Sequence, residues 1–194
     1  TRPYSSSGLP NDLLAGTIAT PSDLFTFNQP LNTPGGKLRG YEISYQQPFT
    51  FLPGLAQNLG AQLNYTWVES DIQYLNSAGV PTVKGPMVGL SENAWNATLY
   101  YDDGRFSARV SAAYRDEFVN TIPGREGSDV EATSEFTTVD ASVSYALTDR
   151  LTISLEGLNL TDEWTDMWMD TQGDRSIAYT HTGRQYMVGF RYKF

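Results

Sequence analysis

Seven segments of this chain alternate between apolar and polar residues, and that period of two constrains the fold more than any other feature. Successive side chains of a strand point to opposite faces, so each segment has one apolar and one polar face. The last of them, 184–194, places Tyr186, Val188, Phe190, Tyr192 and Phe194 on one face and Met187, Gly189, Arg191 and Lys193 on the other. The other six are 37–46, 59–68, 95–101, 106–115, 139–145 and 151–156. Together the apolar faces hold 29 positions and not one charged residue. The opposite faces are nearly all polar, with Tyr100, Ala113 and Met187 as their clear apolar members. No helical 3.6-residue period competes with this pattern.

The connections discriminate further. They run 47–58, then the long 69–94, the tight 102–105, the long 116–138, the tight 146–150 and the long 157–183. Short and long connections therefore fall at opposite ends of an up-and-down meander, as in a membrane barrel with short periplasmic turns and long extracellular loops. Tyr45, Tyr101, Phe106, Tyr145, Tyr192 and Phe194 lie at the short-turn ends, and Trp67, Trp95, Tyr114 and Tyr186 nearer the long-loop ends. Two aromatic girdles bracketing small and aliphatic residues suit the two interfaces of a bilayer. The expected fold class is all-β: about seven strands of a transmembrane antiparallel up-and-down β-barrel. Residues 1–36 are rich in Pro, Gly, Ser and Thr and read as an extracellular loop region, with a short strand expected at 24–27; residues 37–194 read as barrel.

Composition narrows the function classes. The chain carries 13 Lys and Arg against 22 Asp and Glu, a net charge of −9, which argues against nucleic acid as a partner. It has no Cys and one His, His181, so disulfides, thiolate chemistry, Cys-based metal sites and a Ser-His-Asp triad lose their raw material. No nucleophile is paired with a base at a recognisable spacing, and the chain reads as non-enzymatic, with no catalytic residue, metal or cofactor assigned. No stretch approaches the eighteen or so apolar residues of a transmembrane helix. The chain opens at Thr1 in a loop-like stretch and reads as a fragment or a processed chain.

Several short stretches, in order, resemble one family. Gly183 through Phe194 is similar to the C-terminal strand of TonB-dependent outer-membrane receptors. Leu155-Glu156-Gly157-Leu158-Asn159-Leu160-Thr161-Asp162-Glu163 resembles the penultimate strand and its exit. Gly40-Tyr41-Glu42-Ile43 and Asn64-Tyr65-Thr66-Trp67 resemble two earlier strands, and 2–10 resembles a loop of some members. The resemblance implies the C-terminal portion of a barrel of about 22 strands whose lumen is filled by an N-terminal plug. It implies the outer membrane of a Gram-negative bacterium and uptake of a scarce nutrient of the siderophore, cobalamin or saccharide class. It also implies contact with TonB through an N-terminal part outside this chain, with outer-membrane lipid around the wall. In outer-membrane proteins generally, an aromatic terminus with alternating apolar residues resembles the signal read by the barrel-assembly machinery, here Tyr186, Val188, Phe190, Tyr192 and Phe194. A passive channel, a small structural barrel of eight strands and a soluble β-protein are the other readings.

Two groups of residues invite a chemical role. The connection 161–181 holds Trp164, Trp168, Tyr179 and His181 among Asp162, Glu163, Asp166, Asp170 and Asp174. Its rings suit stacking on a sugar or an aromatic siderophore, and equally suit a folded surface loop packing on its neighbours. Its carboxylates match no known calcium-loop spacing. Glu42, Arg109, Arg115, Asp140, Glu156, Arg191 and Lys193 fall on the polar face and read as the lining of a watery lumen or as supports for a plug.

Overall fold

The computed structural model describes residues 1–27, 32, 34–76 and 78–194; the parts of the expected 1–36 and 69–94 loops at 28–31, 33 and 77 lie outside the described residues. Near the start, β1 (Arg2–Pro3) and β2 (Leu24–Phe25) pair antiparallel into a two-residue ribbon. The buried Tyr4 closes it, meeting the Phe25 ring at 5.5 Å and donating its hydroxyl to Pro10 O at 2.7 Å. The strand expected at 24–27 is thus shorter and lies apart from the main sheet, so it supplies no eighth wall strand.

The remaining strands follow in order. They are β3 (Gly36–Pro48), β4 (Leu59–Leu75), β5 (Pro81–Gly85), β6 (Asn93–Asp102), β7 (Phe106–Arg115), β8 (Phe118–Thr121) and β9 (Glu131–Thr133). After these come β10 (Phe136–Ala146), β11 (Leu151–Leu158), β12 (Thr165–Met169), β13 (Arg175–Thr180) and β14 (Gln185–Tyr192). Seven of them form one antiparallel wall in the order β14-β11-β10-β7-β6-β4-β3, with β5 folded back on β4. All seven alternating segments are wall strands. The wall does not close: β3 and β14 are its two edges.

Register carries the alternation across the whole wall. Ala61 faces Leu99, Leu99 faces Val110, Val110 faces Ala141, Val143 faces Leu155, and Leu155 faces Val188. One side is therefore a continuous apolar sheet. Stacked Tyr41–Trp67 and Trp95–Tyr114 rings, 5.5 and 5.8 Å apart, sit toward one end, and Tyr101–Phe106 and Tyr192–Phe194, at 5.9 and 5.3 Å, toward the other. The other side is polar: Ser44 donates to Asn64 at 2.8 Å, and Arg109, between Tyr100 and Ser142 in register, donates to Thr98 at 3.3 Å. Tyr100 is the apolar exception with a reason. Its ring lies over the cross-strand Gly60, where a Cβ would collide with it.

Among the described residues nothing covers the apolar side. Among the described residues only Tyr4 and Ala132 are buried hydrophobics, while Phe190 is 72% exposed and Val110 51%. A face this extensive and this free of charge is stable only against an apolar medium, and in lipid every backbone group must be paired within the sheet.

The tight turns are built from side-chain acceptors. At 102–105, Asp103 accepts from the amides of Phe106 at 2.7 Å and Arg105 at 2.9 Å, and Gly104 takes φ +85°. Those amides, Phe106 first, hold the Asp103 carboxyl below the usual carboxylate range. At the opposite end β4 runs seven residues beyond the alternating segment, and there Arg39 pairs with Glu69 at 2.6 Å, both well exposed. At about 3.3 Å per residue, a strand of this length exceeds an apolar band of about 25 Å even when tilted, so its end stands in water.

Candidate functional site

The long connections do not hang loose above the wall. β8, β9, β12 and β13 make a second sheet in the order β13-β12-β9-β8, joining two connections far apart in sequence. The junction is β9 with β12, where Ala132 faces Trp168. All three β9 residues are buried, Ala132 fully at 0% exposure. The third connection is tied in as well. Gly89 N donates to Val119 O at 2.7 Å, and Arg115 donates to Gly89 O at 2.6 Å and Ser91 Oγ at 2.8 Å. Its guanidinium also lies 3.8 Å from the centre of the Phe118 ring. Arg115, expected to line the lumen, is therefore a staple between connections.

Inside this crown, Glu131 is 5% exposed and accepts from Arg125 N, Nε and the guanidinium NH2 at 2.8, 2.7 and 2.8 Å. Arg125 holds the Glu131 carboxyl below the usual range. Its contribution to crown stability is therefore complete above the unfolded carboxylate value of about 4.3 and disappears as pH falls through the lowered folded value. Glu117 shifts the other way, pushed up first by burial, against the hydrogen bond from Trp168. Its protonation relieves a cost, so it is not a source of acid melting. Limited proteolysis of 116–135 should stay slow from about pH 7 to pH 4.5 and accelerate below about pH 4, with Arg125→Ala removing that dependence.

Asn159 anchors the exit of β11. With φ +53° it donates to Glu163 O at 2.9 Å and Gly183 O at 3.4 Å, and its Oδ1 accepts from Glu163 N at 2.8 Å. Asparagine tolerates the left-handed region because its short polar side chain bonds locally. Asn159→Ala loses both bonding and tolerance and should cost about 2 kcal/mol, read by thermal unfolding of the full-length protein.

The four aromatic residues of 161–181 fall into two places. Trp164, Tyr179 and His181 form one cluster, with ring centres 6.3 Å apart for Trp164–Tyr179 and 5.5 Å for Trp164–His181. Trp164 and Tyr179 remain 59% and 63% exposed, so the cluster is an open aromatic platform at the rim. His181 Nε2 lies 3.1 Å from Asp162 Oδ1, and Arg184 is 3.8 Å from the same carboxylate. Trp168 stands apart: its indole N–H donates to Glu117 Oε2 at 3.0 Å, bracing one connection against another. Among the described residues, Asp166 Oδ1 is the one buried side-chain oxygen or nitrogen without a hydrogen-bond partner. A cleft of about 400 Å³ opens between β5 and 122–130, walled by Val83, Pro86, Ile122, Pro123 and Val130. No sequence pattern announced it, because its two sides are some forty residues apart and neither is periodic.

Charge is divided as sharply as hydropathy. The connections 69–94, 116–138 and 157–183 hold fourteen Asp and Glu against three Lys and Arg, although the whole chain nets only −9. Wall, turns and N-terminal region are thus slightly positive, and the crown holds the excess negative charge.

Residues 6–160 match the β-barrel of the family described as TonB dependent receptor-like. The chain belongs to this family. It is also 26% identical over 165 residues to the iron-regulated outer membrane virulence protein of Vibrio cholerae serotype O1, in both the Classical Ogawa 395 and El Tor Inaba N16961 strains. That match covers 84% of this chain and 22% of the relative. A crystal structure of the siderophore receptor PiuA from Acinetobacter baumannii superposes with a TM-score of 0.58 at 16% identity, over 82% of this chain and 22% of that one, and bears on fold alone. The chain thus spans about a fifth of the length of the proteins it matches. The family is one of outer-membrane receptors rather than enzymes, and it places this TonB-dependent receptor barrel in the outer membrane of a Gram-negative bacterium.

Proposed function

We propose that this chain is the wall and external crown of a receptor that takes up an iron chelate of the siderophore class across the outer membrane, with energy from TonB. The observation that carries the reading is the pairing of a charge-free apolar wall with one stapled crown at a single end. Such a wall spans lipid, and such a crown faces a ligand arriving from one side. The relative in Vibrio cholerae points toward iron, being iron-regulated. Coupling to TonB belongs to an N-terminal part beyond the residues present, and Trp164, Tyr179 and His181 are the crown's ligand-contacting rings, with Trp168 holding their connection against Glu117.

β14 has a second role in this reading. Tyr186, Val188, Phe190 and Tyr192 on its exposed face, with Phe194 just beyond it, carry the signal for the barrel-assembly machinery, because all five side chains stand more than half exposed.

Uptake of radiolabelled ferric chelates by cells with and without the full-length gene, each with and without TonB, tests the proposal. Uptake that needs both supports it. Uptake that needs the gene but persists without TonB would identify a passive channel instead.

A further inference from the structure

From the crown we infer that the ligand presents an organic cation, a protonated amine or a guanidinium, to the Trp164–Tyr179 platform. The inference rests on the reading above, that the crown faces the medium and captures a ligand. Two independent observations meet there. The first is exposed ring surface: Trp164 touches Tyr179 and His181 and still leaves 59% of itself uncovered, and Tyr179 leaves 63%. Rings of this size left open at a folded, hydrogen-bonded rim are surface awaiting a partner. The second is uncompensated charge. Asp162 is occupied by His181 and Arg184, but among the described residues Glu163, next to Trp164 in the chain, and Asp166 form no ion pair. Asp166 faces Tyr179 across the β12–β13 ladder, and its Oδ1 receives no hydrogen bond.

Electron-rich ring faces attract a cation directly, and the attraction grows as the cation sheds water. Neighbouring carboxylates add to it and supply acceptors for N–H donors. The same field disfavours an anion. With fourteen acidic residues against three basic ones in the three connections, a chelate of net negative charge meets repulsion on approach. A neutral sugar would stack on the rings equally well and donate hydroxyls to the carboxylates, but it gains nothing from their net charge. The ligand chemistry that uses both features is a positively charged nitrogen.

The test uses the full-length receptor in detergent and three probes of equal chain length: butylammonium, butan-1-ol and butyrate. Saturation-transfer NMR reads their binding to the wild type, Trp164→Leu, Tyr179→Leu and Asp166→Asn, with heat-modifiable gel mobility confirming that each variant is folded. Butylammonium should bind in preference to the other two. It should weaken about tenfold in Trp164→Leu and in Asp166→Asn, and again on raising salt. Equal binding of butanol and butylammonium, or unchanged butylammonium binding in both ring variants, would overturn the inference. Ferric-chelate uptake measured on the same receptor separates the two failures. Uptake that continues while the probes show no charge preference removes the cation site and leaves the receptor, whereas loss of chelate dependence removes the receptor reading itself.

Discussion

Val110→Arg is expected to remove about 2–4 kcal/mol of folding free energy in a bilayer. Val110 is central in β7, faces Leu99 and Ala141, and is 51% exposed. In a protein bathed by water, arginine at so open a position would change stability by no more than about 0.5 kcal/mol. In hydrocarbon the guanidinium must be desolvated or drag water in with it. Urea titration of the full-length protein refolded into lipid vesicles measures the difference. Ser111→Arg, one residue along and on the polar face, is the control and should stay near wild type. Equal costs at 110 and 111 would end the assignment of the apolar face to lipid.

Ala132→Asp is expected to be as severe, but to act in a different place. Ala132 is fully buried in β9, between Val119 of β8 and Trp168 of β12. Among the described residues the neighbouring cations are engaged elsewhere, Arg125 with Glu131 and Arg115 with Gly89 and Ser91, and an unpaired buried charge costs about 3 kcal/mol or more. The crown strands pair only with one another, in a sheet separate from the wall, so the loss should stay local. Amide exchange should speed up across 116–135 and 159–184 while the wall strands keep their protection. Exchange that rises equally in β7 and β10 would show that crown and wall fold as a single unit.

How much of this was legible beforehand follows from where the chain meets lipid. The wall strands were readable because a bilayer on one side and a watery lumen on the other impose the same alternation on every strand. The pattern stops where the lipid stops. Reading β4 from its periodicity ends it at Val68, yet its pairing continues to Ile72 with β3 and to Leu75 with β5, because backbone pairing outlasts the apolar band. The crown strands were invisible for a related reason. β9 has three residues and β12 five, too short for a period, and their packing depends on partners such as Glu117, 51 residues from Trp168. The rings of the platform were visible as residue types; that Trp168 turns away from the other three was not.

The stapling of the crown has a kinetic meaning. Flexible loops that close on a small molecule lose conformational entropy at the moment of capture and make binding wait for their motion. Here that ordering is completed when the protein folds, by Gly89 with Val119, Arg115 with Ser91, and Ala132 with Trp168. On the proposed reading, a molecule that reaches these crown strands meets backbone already ordered, and its arrival there depends on diffusion and on the sign of its charge.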